Sequence, residues 1–155
     1  MASGDGTIEW IASAQFTLTL AALADAAARQ STMLANTSGK YPAAKLTFRI
    51  KSGAAAPTVG RVYEIYLLRG NGTIRDDAAG ASDAAITIEN APLLGAIVVT
   101  ASAAKNFYVV LDTAPLGPLG PDWGIAVKNN SAQALSTTEG DHLYGYEYYY
   151  PKVAP

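Results

Sequence analysis

The side chains that most often carry catalysis are sparse in this sequence. The chain has a single histidine, His142, and no cysteine. A hydrolytic triad needs a nucleophile, a base and an orienting acid, and the sequence offers neither a cysteine nucleophile nor a G-x-S-x-G turn. Zinc sites are built from several His and Cys side chains, so zinc has no ligand set here. We therefore expect no enzyme activity and no cofactor, and we interpret His142 as a polar or hydrogen-bonding residue at the start of a strand.

Two acidic clusters remain as candidates for chemistry, Asp76-Asp77 and Glu139-Gly140-Asp141. Paired carboxylates are the catalytic groups of most glycoside hydrolases, and carboxylates on a loop are ligands for calcium. Both clusters lie in glycine-rich turn contexts, and neither has the spacing of an EF-hand. We interpret them as solvated turn residues, with a weak calcium site as the alternative.

The carboxy-terminal segment is the most unusual part of the sequence, because five of the nine tyrosines fall within residues 144–150. Side chains alternate between the two faces of a strand. One face therefore receives Tyr144, Tyr146, Tyr148 and Tyr150. Three roles are open for this row: the core and an amphipathic sheet surface, an interface with a subunit or partner, or a platform on which sugars stack.

Short strands must position these residues. Period-two alternation of apolar and polar side chains predicts half-buried strands at residues 15–20, 45–51 and 122–128. Residues 61–68, 96–100 and 106–111 are β-branched, aromatic and apolar on nearly both faces, which is typical of central strands or of strands at a subunit interface. Further strands are expected at residues 7–11, 85–89 and 142–150.

Turn chemistry separates the predicted strands. Residues 70–73 (GNGT) give a hairpin-type signal, since Asn and Gly tolerate positive φ. The three prolines of residues 115–121 lack donors, which predicts a stiff crossing between strands. Residues 21–30 (AALADAAARQ) have high helix propensity by composition, and either a short helix or an extended chain is open. We favour the extended chain.

The chain length, the net charge and the share of charged residues limit the possible partners. The 155 residues suit one domain, and no Lys/Arg cluster accompanies the net charge of −2, so we expect no binding to nucleic acid. No apolar run is long enough for a membrane helix, and the amino-terminal residues lack the basic and apolar regions of a signal peptide. Charged residues make up only 15%, below the usual value of about 25%, which suggests that neighbouring subunits cover part of the surface.

These patterns predict an all-β protein, a jelly-roll-like β-sandwich of about eight strands with a short N-terminal arm. Residues 1–14 would form the arm and residues 15–155 the sandwich domain. Ile8, Trp10 and Ile11 are the candidate anchors of the arm, because tryptophan is frequent in binding hot spots.

Several segments follow one another in an order that is informative as a whole. They are residues 16–20 (FTLTL), 27–32 (AARQST), 36–37 (NT), the strand pair 46–50 and 62–68, residues 123–131 (WGIAVKNNS) and 135–142 (LSTTEGDH), and the tyrosine strand. In this order they resemble a group of small virion proteins of tailed bacteriophages that includes capsid decoration (cement) proteins. The resemblance covers most of residues 15–152, but none of its segments is catalytic and it supplies no functional residue.

The resemblance implies a jelly-roll-like sandwich, a symmetric oligomer that is commonly a homotrimer, and contact with an icosahedral shell. The leading hypothesis is thus a structural protein, made in the host cytoplasm, that binds the major capsid protein on the outer capsid surface. The alternative is a carbohydrate- or receptor-binding β-sandwich of a phage head or tail fibre. That alternative predicts that several tyrosines of the row are exposed in the isolated protein.

Overall fold

A computed structural model describes residues 7–36 and 41–152. These residues form eleven strands and two short 3-10 helices, Ala114–Leu116 and Glu139–Asp141, with no α-helix. The strands are β1 (Thr7–Trp10), β2 (Ala14–Gln15), β3 (Ala28–Gln30), β4 (Leu34–Ala35), β5 (Ala43–Lys51), β6 (Val62–Gly70), β7 (Ala84–Ile86), β8 (Leu93–Val98), β9 (Asn106–Asp112), β10 (Asp122–Asn130) and β11 (Leu143–Lys152). Neither described helix is long and apolar enough to cross a membrane.

The strands form two antiparallel sheets. Sheet I has the order β1-β11-β5-β9, with β2 also pairing with β11, and sheet II has the order β7-β3-β10-β6-β8, with β4 also pairing with β10. The pairs are nested along the chain: β2 with β11, β3 and β4 with β10, β5 with β9, and β6 with β8. This nested order of eight principal strands in two sheets is the order of a jelly roll, so the predicted fold class is confirmed.

Alternation decides which side chains enter the core between the sheets. In β5, Leu46, Phe48 and Ile50 are buried, whereas Lys45 and Thr47 are exposed. Residues 16–20 alternate in the same way but do not form a regular strand. Phe16 N still donates to Tyr144 O of sheet I at 2.9 Å, while Thr17 O accepts from Thr32 N at 2.8 Å. The chain thus begins to leave sheet I along this segment.

Strand β10 differs from its prediction. A half-buried strand was expected, yet residues 122–127 are all buried. The inner face holds Trp123, and the outer face is covered because Ala126 packs with Leu68 and Ala91 in a second, smaller apolar cluster. Ala78, Ile86 and Ile88, from the segment between β6 and β8, pack against this cluster. In the sequence, a small side chain such as Ala126 does not indicate that another segment packs against it.

Strands β8 and β9 were predicted as central strands or as strands at a subunit interface. The structure excludes the central position, because each is the last strand of its sheet. Their outward side chains are exposed, with Val98 at 65% and Tyr108 at 68% of full accessibility. The interface alternative therefore stays open for both.

The alanine-rich segment 21–30 is not helical. It forms two turns followed by β3, with Ala22 and Ala26 in the left-handed region at φ 56° and 62°. Backbone hydrogen bonds to residues distant in sequence stabilise the turns. Ala22 N donates to Ser136 O at 2.8 Å, and Ala26 N donates to Asn129 O at 2.6 Å. The helix is excluded, but the favoured extended chain is found only in β3. Tertiary hydrogen bonds override helix propensity here and hold the preceding residues in turns.

Part of the predicted arm, residues 1–14, lies outside the described residues. Its described part pairs with the last strand of the same chain, where Ile8 lies opposite Pro151 and Trp10 opposite Tyr149. These residues therefore extend sheet I as its edge strand, and their position is fixed without a neighbouring copy.

Candidate interaction surface

The amino-terminal margin of sheet I, defined as Ile8 and Trp10, presents apolar side chains on the outer face. Ile8 is 59% exposed and Trp10 50% exposed. The Trp10 ring packs on Tyr149, with 5.0 Å between ring centroids, and Lys45 Nζ lies 5.8 Å from the Trp10 ring. A cation over an indole face and an aromatic neighbour hold the ring in place while leaving half of it in contact with solvent.

Tyr149 is itself anchored. Its hydroxyl donates to Asp112 Oδ1 at 2.7 Å, so it joins β11 to the end of β9. Burial, together with the hydrogen bond to the Asp112 carboxylate, raises the pKa of Tyr149 to about 12. Trp10 therefore rests on a neutral, hydrogen-bonded phenol throughout the physiological pH range.

The opposite side of sheet I carries a second apolar group. This β9 margin consists of Tyr108, 68% exposed, and Val110, 55% exposed. Beside it the outer face has a shallow depression of about 340 Å³, lined by Leu143, Gly145 and Tyr108 among others. The depression exists because Gly145 has no side chain to fill the space between Gln15 and Thr47, its partners on the two neighbouring strands.

The predicted tyrosine row lies on one face of β11, as alternation required, but that face points into the sandwich. Tyr144 is only 4% exposed, and Tyr146, Tyr148 and Tyr150 are half-buried. Tyr148 Oη accepts a hydrogen bond from Trp123 Nε1 at 2.9 Å. Tyr144, Tyr146 and Tyr148 pack in or against the core, and Tyr150 lies against Tyr41. The row therefore does not form the exposed platform that stacking on sugars requires.

Both acidic clusters hold the fold together, which the turn-based interpretation missed. Glu139 Oε2 accepts from Leu20 N at 2.8 Å and from Ala21 N at 2.7 Å, and its other oxygen accepts from the Tyr144 hydroxyl. Asp141 pairs with Lys51 Nζ at 3.1 Å. Apart from Tyr144, these partners lie far away in the sequence, so no local pattern could have indicated them.

Asp77 acts in the same way within one loop. Its carboxylate accepts hydrogen bonds from the backbone N–H groups of Glu89, Asn90 and Ala91 and from the Asn90 side chain. Burial acts to raise the pKa of the Asp77 carboxyl, but the four donors outweigh it and lower the pKa. The described residues contain no group of three or more His, Asp or Glu side chains placed to hold a metal ion.

His142 is buried, with 3% of its surface exposed. Its Nδ1 lies 3.3 Å from Lys51 N, which donates to it, and Nε2 lies 3.4 Å from Ser136 O. These contacts fit a neutral ring with the proton on Nε2. Burial lowers the pKa of His142, against the opposing effects of the Ser136 carbonyl and the nearby Glu139 and Asp141 carboxylates.

The buried imidazole predicts a specific pH dependence. Because the folded-state pKa lies below the unfolded value of 6.5, the unfolded chain binds more protons, and the stabilisation is complete above pH 6.5 and is lost as the pH falls below it. We expect the free energy of unfolding to decrease by at most about 1.4 kcal/mol between pH 7.5 and pH 5.5, measured by urea titration. Since His142 is the single histidine, a His142→Gln variant should lack this decrease, and an equal decrease in both proteins would contradict the assignment.

No protein-family model and no curated protein matches the chain. Among solved structures, a chain from the X-ray structure of tomato aspermy virus matches 96% of this chain and 79% of its own length, with 12% identity and a TM-score of 0.36. Chains of the Gt and Gx strains of infectious bursal disease virus match 97% and 96% of this chain but 36% of their own, with 10% and 13% identity and a TM-score of 0.11. TM-scores this low establish neither a shared fold nor a shared function, so the fold assignment depends on the strand order described above.

Proposed function

We propose that this chain is a non-enzymatic structural virion protein that decorates and stabilises a tailed-phage capsid. It would bind the outer surface of the major capsid protein shell as a homotrimer. The observation that carries the proposal is the apolar character of both margins of sheet I, where Ile8, Trp10, Tyr108 and Val110 are 50% to 68% exposed. Two exposed apolar side chains lie next but one along the strand at each margin, and exposed apolar surface of this kind favours protein–protein contact.

The resemblance of residues 15–152 to small virion proteins and the jelly-roll strand order agree with this role. A protein that binds only the assembled shell stabilises the assembled state by mass action. Many copies on one shell make modest individual contacts sufficient. The fold alone does not imply this function, because jelly rolls serve in lectins and enzymes as well.

The alternative of a sugar-binding module depended on an exposed tyrosine row. Since the sandwich covers those rings, the geometry favours contact with protein over stacking on sugars. The proposal of a non-enzymatic role is supported by the acidic clusters, whose carboxylates are engaged with backbone donors and with Lys51.

The direct test is to mix the purified protein with expanded shells assembled from the major capsid protein of the same genome and lacking other decoration. We expect the protein to co-sediment with the shells and to add density to their outer surface in cryo-electron microscopy. Shells that stay bare at protein concentrations far above the number of sites would overturn the proposal.

A substitution at the amino-terminal margin tests whether this surface takes part. Trp10→Ala should lower the apparent affinity for shells by roughly 30-fold, the effect of losing a hot-spot side chain worth about 2 kcal/mol. The readout is the protein concentration at half-saturation of the shells in a sedimentation assay. Ile74→Ala removes a residue that is 73% exposed on a loop and serves as the control. An equal loss for Ile74→Ala, or no loss for Trp10→Ala, would place the contact elsewhere.

A further inference from the structure

Strands β1 and β9 lie at opposite margins of sheet I, and each has one side that pairs with no other strand among residues 7–36 and 41–152. Ile11 N donates to Tyr148 O at 2.9 Å. Because hydrogen-bonding direction alternates along a strand, the N–H and C=O groups of Ile8 and Trp10 point away from β11.

The same alternation applies to β9. Thr113 N donates to Ala44 O at 3.0 Å, and Lys105 O accepts from Ser52 N at 3.0 Å, so odd-numbered residues bond to β5. The backbone groups of Tyr108 and Val110 therefore point away from the sheet. In both margins, the residues with outward backbone groups are also the ones with exposed apolar side chains on the outer face.

Edge strands are usually protected against pairing by lysine, proline or bulges. Residues 106–111 (NFYVVL) contain no charged residue and no proline. Strand β9 also has no bulge, because it pairs with β5 in unbroken register over seven residue pairs. In β1 the one charged residue, Glu9, is paired with Lys152 Nζ at 3.0 Å. Both edges are thus open to another strand.

We infer that β9 of one copy pairs with β1 of a second copy of this chain. Three successive antiparallel pairings separate β1 from β9, so the two strands run in opposite directions within a subunit. Copies placed edge to edge in a ring that continues the sheet consequently meet in an antiparallel arrangement. Several registers match hydrogen-bonding positions, and the one that covers both exposed apolar pairs places Tyr108 opposite Trp10 and Val110 opposite Ile8.

This register pairs two aromatic residues, Tyr108 and Trp10, and two aliphatic residues, Val110 and Ile8. Aromatic pairs and aliphatic pairs across antiparallel strands each stabilise a sheet. Pairing of β9 with β9 about a two-fold axis would instead set Tyr108 against Val110 and leave Ile8 and Trp10 in water. Head-to-tail pairing covers both margins, and it is the kind of contact that closes into a ring.

The stagger along the strands agrees with a closed ring. In the register of sheet I, Trp10 lies opposite Tyr149, which in turn lies opposite Ala43 of β5. Tyr108 lies opposite Arg49 of the same strand β5. These two positions on β5 are six residues apart, or about 20 Å. Over four strand spacings of about 4.8 Å, this displacement corresponds to a tilt of about 45°, at the upper limit of the strand tilt in closed sheets.

The pairing deepens the proposed function by assigning both margins to contact between copies, so that the ring of copies is what binds the shell. A loss of shell binding by Trp10→Ala then follows from loss of the ring. The inference rests on the proposed function only for the number of copies in the ring. Contact between copies does not need a shell. The two proposals can therefore fail separately.

Engineered cysteines test the register, because the natural chain has none. Opposed positions in an antiparallel pair lie within the Cα distance that a disulfide spans. On oxidation, the double variant Ile8→Cys with Val110→Cys should form covalent oligomers that end at a closed trimer on a denaturing gel. Glu9→Cys with Val110→Cys is the matched control, because the two side chains lie on opposite faces of the sheet. It should form no covalent oligomer and should run as a monomer on the denaturing gel.

Several outcomes would overturn the inference. A single Val110→Cys variant that yields covalent dimers would indicate two-fold pairing of β9 instead. The absence of cross-linked species from the double variant, or a monomer by light scattering of the natural protein, would also overturn it. Val110→Lys should give a folded monomer, since Val110 is 55% exposed, and a persistent oligomer would count against the contact. A cross-linked trimer that leaves shells bare would retain this inference and reject the capsid role.

Discussion

Trp123→Ala is expected to lower the free energy of unfolding by about 3–5 kcal/mol, the usual cost of removing a fully buried large aromatic side chain. Trp123 is 0% exposed. Its ring meets Phe16, Tyr146 and Tyr148 in edge-on arrangements, with centroid distances of 5.4, 5.7 and 5.7 Å. The substitution removes the apolar volume at the point where sheet II meets the tyrosine row of sheet I.

The loss also leaves Tyr148 Oη without the Trp123 N–H donor. Trp123→Phe keeps most of the apolar volume and isolates this bond, so we expect an intermediate loss of about 1–2 kcal/mol. Urea titrations followed by circular dichroism measure these differences, with Val98→Ala as the exposed control, expected within about 0.5 kcal/mol of the natural protein. A Trp123→Ala variant as stable as the Val98→Ala control would show that the two sheets do not pack on Trp123.

Glu139→Ala is expected to lower the free energy of unfolding by about 2–4 kcal/mol, because hydrogen bonds to a charged acceptor are among the stronger ones and their loss leaves donors unpaired. The carboxylate receives the N–H groups of Leu20 and Ala21 and the hydroxyl of Tyr144. Leu20 is 0% exposed and Tyr144 4% exposed. Glu139 itself is half-buried, so water replaces the lost acceptor only in part.

Two variants separate this role from a general effect of charge. Glu139→Gln keeps one carbonyl oxygen for the backbone donors and should be less destabilising than alanine, whereas Glu89→Ala removes an exposed carboxylate and should be nearly neutral. The same urea titrations serve as the measurement. Equal effects of Glu139→Ala and Glu89→Ala would mean that Glu139 is the solvated turn residue that its sequence context suggested.

These two predictions concern the framework that positions the candidate interaction surface. Trp123 and Glu139 both act on β11, which lies between the amino-terminal margin and β5 in sheet I. A variant that loosens β11 would alter the amino-terminal margin without touching Ile8 or Trp10. Shell-binding and cross-linking experiments should therefore use surface variants whose unfolding free energy equals that of the natural protein.

Much of the framework follows from local pattern. Alternation at residues 45–51 identified β5 and its buried face, and the proline-rich segment 115–121 was correctly predicted to cross between strands, here from sheet I to sheet II. The tyrosine row was also placed on one face of one strand. In each case the pattern depends only on the two-residue period of a strand, which is a property of the backbone.

Other features could not be read from the sequence. Strands β8 and β9 have the composition of central strands but lie at sheet edges. An apolar composition indicates that a strand is to be covered, but it does not indicate whether a neighbouring strand, a loop or another subunit covers it. The backbone N–H groups that bind Glu139 lie 118 and 119 positions away. A turn context is visible in the sequence, but the donors that converge on the carboxylate are not.

The amino-acid sequence by itself determined that this chain forms alternating strands, which residues share a face, and that catalytic side chains are scarce. The tertiary structure decided that the tyrosines face inward, that β10 is covered on both sides, and that the apolar residues left at the surface lie at the two margins of one sheet. The physical reason is that side-chain period is set by neighbouring residues along the backbone. What covers a face is set by strands and loops that are distant in sequence and meet only when the sheets close on each other.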